Sequence, residues 1–176
     1  GGATTGKDLT IEEFDGMALA RAVTEAGNIR IVTNGLLEIG EIDAGANFDV
    51  TLESGGAISG FDLLPTVNVT ADSLTATAAG DITLSTTIDT LNASATAVGN
   101  VSIDDKSGAN SSLHIESIST SDGYVLVDSQ GNLIVDSIAS SISDPQNSVT
   151  LRTQNGFGGN ITVDEINAGA SGSVTI

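Results

Sequence analysis

The chain contains no cysteine and no tryptophan, and aromatic residues make up only 3 % of it. Without cysteine there is no disulfide scaffold and no thiolate metal site, although this leaves the compartment open, because a repeat stack can hold together by backbone ladders alone. Few rings argue against a compact core of the usual kind, which relies on several large aromatic side chains. Cations are equally scarce. Lys7, Arg21, Arg30, Lys106 and Arg152 stand against 23 carboxylates, for a net charge of −18. That balance argues against nucleic acid, whose binding needs a basic surface to replace counterions, and against an anionic membrane surface. No apolar run approaches the ~20 residues of a membrane-spanning helix, so no membrane insertion is expected. The opening GGATTGKDLT lacks the basic start and apolar stretch of a signal peptide, so an exported protein would be a mature form or an excised segment.

What the chain does have is 21 glycines among abundant Thr, Ser, Ala, Ile and Val. Small and β-branched residues suit closely stacked strands separated by glycine corners. One pattern recurs: apolar, any, apolar, any, any, apolar, any, small. It appears as LTIEEFDG from Leu9, LEIGEIDA from Leu37, TTIDTLNA from Thr86, LHIESIST from Leu113, LIVDSIAS from Leu133 and ITVDEINA from Ile161. A second element usually follows, with apolar residues two apart: Val50 and Leu52, Val101 and Ile103, Val125 and Val127, Val149 and Leu151, Val174 and Ile176.

Alternation by two is a strand with one buried face. The two residues between the second and third apolar positions break it, so the strand must bend there to keep both sides pointing inward. Successive first positions lie 28, 49, 27, 20 and 28 residues apart, and 49 is close to two repeats. The unmatched repeat lies between Gly55 and Gly80, with a loop around Phe61 to Thr66. The expected fold is therefore all-β: a single parallel, right-handed β-helix or β-solenoid over 1–176, with about seven irregular rungs of 20 to 28 residues. An antiparallel sandwich is the competing architecture, but it does not require the same corner at the same point of each repeat. Residues 1–27 form an N-terminal cap or a first rung, and 28–176 the repeats. Thr10 and Glu13 have capping-box spacing, yet Leu9 to Gly16 matches the repeat, which favours a strand over 9–15. For Met17 to Ala26, helix and strand fit equally.

GNIRIVTNGLLEIGEIDAGANFDVTLESGGAISG and GNITVDEINAGASGSVTI resemble the repeats of filamentous-haemagglutinin-like adhesins and related giant bacterial surface proteins. ADSLTATAAGDITLSTTIDTLNASATAVGNVSIDD is similar to a recurring segment of such proteins, so the resemblance covers roughly 28–176. It implies a right-handed parallel β-helix, export to the cell surface, and a role in adhesion or as a long stalk. The secretion domain characteristic of those adhesins is not recognisable, and calcium-binding G-G-x-G-x-D repeats are absent.

Aligned on the motif, the first corner residue is Glu12, Gly40, Asp89, Glu116, Asp136 and Asp164 in turn. Carboxylates on neighbouring rungs would stand about 4.8 Å apart and repel by roughly 1 kcal/mol per pair in water. A ridge of Glu12, Asp89, Glu116, Asp136 and Asp164 would thus be a candidate metal site, with Ca²⁺ the natural guest for oxygen ligands. The alternative is a solvated corner that maintains solubility. His114, the single histidine, lies between Leu113 and Ile115 and should point outward. Asp104 and Asp105, before KSGANSS, read as a polar turn or loop, with a metal loop as the alternative. Five Asn-x-Ser/Thr sequons begin at Asn68, Asn92, Asn100, Asn110 and Asn160 and are expected by chance in such a composition.

Polysaccharide-cleaving enzymes also use parallel β-helices, but they need clustered carboxylates in a groove and usually aromatic platforms. Here Phe14 takes a core slot of the repeat, while Phe48, Phe61, Tyr124 and Phe157 share no register. A regular Thr-x-Thr ice-binding array is suggested by TATAAGDITLSTT but does not persist. The expected function is non-catalytic: a structural or adhesive segment of a secreted bacterial surface protein, or a subunit stacking end to end into an extracellular filament. Because the sequence stops within a strand motif, Val174, Thr175 and Ile176 are expected to meet further chain or a second copy.

Overall fold

The computed structural model describes residues 4–61, 67–141, 146–154 and 159–176. The loop expected around Phe61 to Thr66 lies outside these from residue 62, as do Pro65, Pro145 and Phe157. Strands account for the regular structure, and no helix occurs among the described residues. They form two parallel sheets, and the chain alternates between them. One holds β2 (Leu9–Glu13), β4 (Ile29–Thr33), β6 (Val50–Ser54), β9 (Ser73–Ala78), β11 (Thr90–Val98), β13 (Ser112–Asp122), β15 (Asn132–Ser140) and β17 (Ile161–Asn167). The other holds β1 (Thr4–Thr5), β3 (Met17–Thr24), β5 (Leu37–Gly45), the short pair β7 (Ile58–Gly60) and β8 (Val69–Ala71), β10 (Ile82–Thr87), β12 (Val101–Asp105), β14 (Val125–Ser129), β16 (Val149–Thr153) and β18 (Val174–Thr175). Strands pair within their own sheet from one coil to the next, always parallel, most often with the next but one in sequence and, past the short pair β7 and β8, as β6 with β9. Short crossings between parallel strands of one sheet, repeated without reversal, define a β-solenoid, here of about seven turns.

Registers give the coil lengths directly. Leu9, Ile29, Val50, Leu74, Leu91, Ile115, Val135 and Val163 form one continuous column. The steps along it are 20, 21, 24, 17, 24, 20 and 28 residues, so one coil is shorter than the 20 expected from the motif spacing. Met17 to Thr24, open between helix and strand, is a strand.

The core is the space between the sheets, filled by stacked aliphatic columns. Ile29, Ile31, Leu37, Ile39, Ile42, Leu52, Ile58, Leu74, Ile82 and Leu91 are all fully buried. Each such side chain removed from water contributes about 1.5–3 kcal/mol, which is how a chain nearly devoid of aromatics stays folded. The predicted bend is visible in β13. Leu113, Ile115, Ile118 and Thr120 point inward, while Glu116 and Ser117 both face out. β15 repeats the arrangement with Leu133, Val135, Ile138 and Ser140 inward and Asp136 and Ser137 outward.

The same bend also serves the opposite sheet, which motif alignment does not reveal. In β5 the inward residues are Leu37, Ile39, Ile42 and Ala44, and β5 stacks on β3, not on β2. Leu9 and Leu37 therefore lie on different sheets, and Thr86 of β10 stacks on Asp105 in the sheet of β5. Of the six motif copies, those from Leu113, Leu133 and Ile161 share one register. Four of the five second elements, beginning at Val101, Val125, Val149 and Val174, do share a column, whereas Val50 belongs to the other sheet.

Strand ends are closed by buried hydroxyls. The last inward residue of several strands donates to a carbonyl two or three residues on: Thr24 to Gly27 at 2.6 Å, Thr33 to Gly35 at 2.9 Å and Thr120 to Gly123 at 3.0 Å. At the start of strands, the side-chain Oδ1 of an Asn or Asp accepts the backbone N–H of the equivalent residue one coil on. Asp8 takes Asn28, Asn28 takes Asp49, Asp81 takes Asn100, and Asn100 takes Tyr124. These bonds continue the backbone ladder through the turns, where it would otherwise lapse.

Candidate functional site

The acidic corner was the main candidate, and registry decides which carboxylates meet. Glu116, Asp136 and Asp164 occupy one outward column, because Ile115 pairs Val135, Val135 pairs Val163, and Ser137 pairs Glu165. Glu12 stands elsewhere, opposite Val32, in the column that continues through Glu53 and Thr77. Asp89 lies just before β11, over Asp72, whose carbonyl accepts its N–H at 2.9 Å. The five residues are thus spread over three columns.

Local geometry explains the divergence. β11 alternates strictly while β13 bends, so Glu116 is an extra residue in a bulge between Leu91–Asn92 and Ile115–Ser117. Two of the three stacked carboxylates also have side-chain partners. Asn92 Nδ2 donates to Glu116 at 2.6 Å, and His114 Nε2 lies 3.0 Å from Asp136. His114 is part-exposed, as alternation requires. No group of three or more His, Cys, Asp or Glu with metal-holding geometry occurs among the described residues.

Cations sit on the same outward ladders. Arg21 meets Glu41 at 2.7 Å, in register on β3 and β5, and this contact pushes the guanidinium pKa further up. Arg30 meets Glu53 at 2.8 Å and Glu12 at 3.6 Å, and Lys106 meets Asp104 at 2.6 Å. Such exposed pairs each contribute less than about 1 kcal/mol.

Asp104 and Asp105 do not behave as one polar turn. Both end β12, but Asp104 faces out while Asp105 points into the core and is fully buried. Its carboxylate receives Ser129 Oγ at 2.8 Å on Oδ2, and lies 2.5 Å from Ser107 Oγ through Oδ1. Burial pushes its pKa up, the hydrogen bonds from Ser107 and Ser129 partly oppose that, and the charge of Asp104 adds to the rise.

Two shallow grooves run beside the corners. One, about 310 Å³, is lined by Asp81, Val98, Asn100, Asp122 and Tyr124, among others. The other, about 350 Å³, lies between Glu12, Glu13, Phe14, Val32 and Asn34. Phe14 was expected in a core slot, but it is 82 % exposed, because β2 ends at Glu13 and the chain turns before the bend is completed. Val174 and Ile176 are also exposed, at 47 % and 68 %, and β18 pairs with β16 through Val174 and Thr175.

The sequence marked Asn68 only as the start of a chance sequon and gave it no structural role. It lies where the sheet of β5 is interrupted between β7 and β8. Its Nδ2 donates to the carbonyls of Ile39 and Gly40, each at 3.2 Å, and its Oδ1 accepts the N–H of Ser85 at 3.0 Å. The side chain stands in for ladder bonds between the flanking coils. A buried position also removes Asn68 as a glycosylation acceptor. The available signal was an isolated Asn directly before the strand residues Val69 and Thr70, inside the one repeat that matched nothing.

Comparison with protein-family models, curated proteins and solved structures finds no match to this chain. The parallel solenoid stands on its own geometry, and the likeness to filamentous-haemagglutinin-like repeats on the sequence texture.

Proposed function

We propose that this chain is a non-catalytic structural or adhesive segment of a secreted or cell-surface bacterial protein. The observation that carries this reading is the repeated parallel stacking of coils. Each described coil extends both parallel sheets, one of them through the short pair β7 and β8 in a single coil, so outward residues form ladders along the stack. That geometry suits a long, stiff spacer presenting repeated shallow surface. The acidic exterior fits a role in keeping such stalks apart and soluble. The resemblance to adhesin repeats points the same way. Further coils would dock on the edge formed by β17 and β18, supplied by more of the same polypeptide or by a second copy. In the second case the chain is a subunit of an extracellular filament.

The test is antibody labelling of intact producing cells, combined with blocking of their attachment to a surface by the purified chain. Labelling without permeabilisation and reduced attachment would support the proposal. Labelling that appears only after permeabilisation would overturn it. Electron microscopy of the purified chain separates the two forms: uniform fibres favour the filament, and a monomer at high concentration favours the segment.

A further inference from the structure

We propose that Asp105 is a proton-dependent latch: as the neutral acid it ties the turn after β12 to the preceding coil, and its ionisation loosens that tie. A count of hydrogens separates the two protonation states. Ser107 Oγ lies 2.5 Å from Asp105 Oδ1 and 3.2 Å from the Ile88 carbonyl oxygen, and it accepts the Ile88 N–H at 3.2 Å. A serine hydroxyl has one hydrogen to give and two lone pairs to receive with. When Asp105 is ionised, its carboxylate and the Ile88 carbonyl compete for that one hydrogen. When Asp105 is neutral, its own O–H donates to Ser107 Oγ, and Ser107 donates to Ile88. The hydroxyl then makes all the bonds it can, and the turn is held to the preceding coil by a donor and an acceptor together.

The surroundings give the charged form little help. Thr86, in register with Asp105 on β10, is fully buried, and its Oγ1 makes no hydrogen bond. β10 carries no charged residue. Asp104, adjacent in sequence, adds a like charge, and Lys106 is turned to Asp104. On β14 and β16, Asp128 and Arg152 stand in the outward column of Asp104. His114, Glu116 and Asp122 of β13 belong to the other sheet. Only Ser129, donating at 2.8 Å, and the Ser107 N–H, at 3.2 Å, support the carboxylate in either state.

The folded chain therefore holds this proton where the unfolded chain has already released it. Stability from this group is fully present below the ordinary aspartate value of about 3.9, and it falls as pH rises through the higher folded value. The contribution of Asp105 to closing its coil is therefore larger in acidic surroundings than in neutral ones.

Carbon-detected NMR titration of the Asp105 carboxyl in the intact chain tests this directly. The expected midpoint lies above about 3.9, and the Ile88 and Ser107 amide shifts move with it. A midpoint at or below that value overturns the proposal. In parallel, Asp105→Asn keeps the shape and removes the ionisation. Between about pH 4 and pH 7, Tm of the wild type should fall more than that of the variant. Parallel curves would overturn the latch, and should the variant not fold, the wild-type titration decides alone.

Discussion

Asn68→Ala is the most informative single substitution, because it removes a side chain that replaces backbone. Its amide satisfies three main-chain groups: the Ile39 and Gly40 carbonyls and the Ser85 N–H. Asn68 is 9 % exposed, so water cannot readily take over these bonds. A hydrogen bond contributes about 1 kcal/mol net, and a buried group left without a partner costs about 1–3 kcal/mol. With three groups affected and some rehydration through the interruption between β7 and β8, the expected loss is about 3 kcal/mol. Urea unfolding followed by circular dichroism measures it as a lower midpoint with little change in slope. A second substitution makes the reasoning specific. A methyl group at Gly60 would lie 2.0 Å from Asn68 Oδ1, so Gly60→Ala must displace the same amide. In combination the two losses should be far from additive, since both break one network. A loss below about 1 kcal/mol for Asn68→Ala, or clean additivity, would refute the claim that this amide bridges the interrupted sheet.

Two further substitutions test particular placements. At Gly40 an added Cβ would stand 2.3 Å from the Ala20 carbonyl oxygen, which is backbone and cannot step aside. Gly40→Ala should therefore cost about 1–3 kcal/mol by thermal or chemical unfolding, whereas alanine at Gly6, which has nothing within 4 Å of an added Cβ, should be close to neutral. Phe14→Ser should change stability by no more than about 0.5 kcal/mol, as for other surface sites. A phenyl ring in a core slot would instead cost about 3–5 kcal/mol when truncated, so the same unfolding experiment separates the two placements.

Much of this architecture was legible because it depends on alternation. The run Leu113, Ile115, Ile118, Thr120 and its copy Leu133, Val135, Ile138, Ser140 announce a bent strand, since no other geometry points all four inward. What alternation does not record is which sheet a bent strand joins. Leu37 repeats the pattern of Leu113 residue for residue, yet its strand pairs with Met17 to Val23, whose smaller Ala22 hid the same motif. The acidic ridge failed as a single line for a related reason. Residues were aligned by motif, whereas columns are set by hydrogen-bond register, and one bulge at Glu116 shifts the register between β11 and β13. Gly40 interrupted the acidic series for a steric cause, the approach of Ala20. Asp105 continues the inward alternation of Val101 and Ile103, but its charge and the polar KSGANSS that follows made it read with Asp104 as a turn.

The stacked architecture also predicts how damage spreads. Leu91 is fully buried, and its column neighbours are Leu74 on one side and Ile115 on the other. Leu91→Ala removes packing from three adjacent coils, at a cost of about 2–5 kcal/mol if the site relaxes little. In a compact domain that loss would be shared by the whole cooperative unit. In a solenoid each coil touches only its neighbours, so stability is a sum of coil and interface contributions. Amide hydrogen exchange should therefore quicken most in β9, β11 and β13, less in β6 and β15, and least in β2 and β4. The short 17-residue step between Leu74 and Leu91 sharpens the expectation, because that coil has the least chain to readjust around a cavity. Equal acceleration in every strand would show that the stack unfolds as one body, and the nearest-neighbour account of its stability would then be wrong.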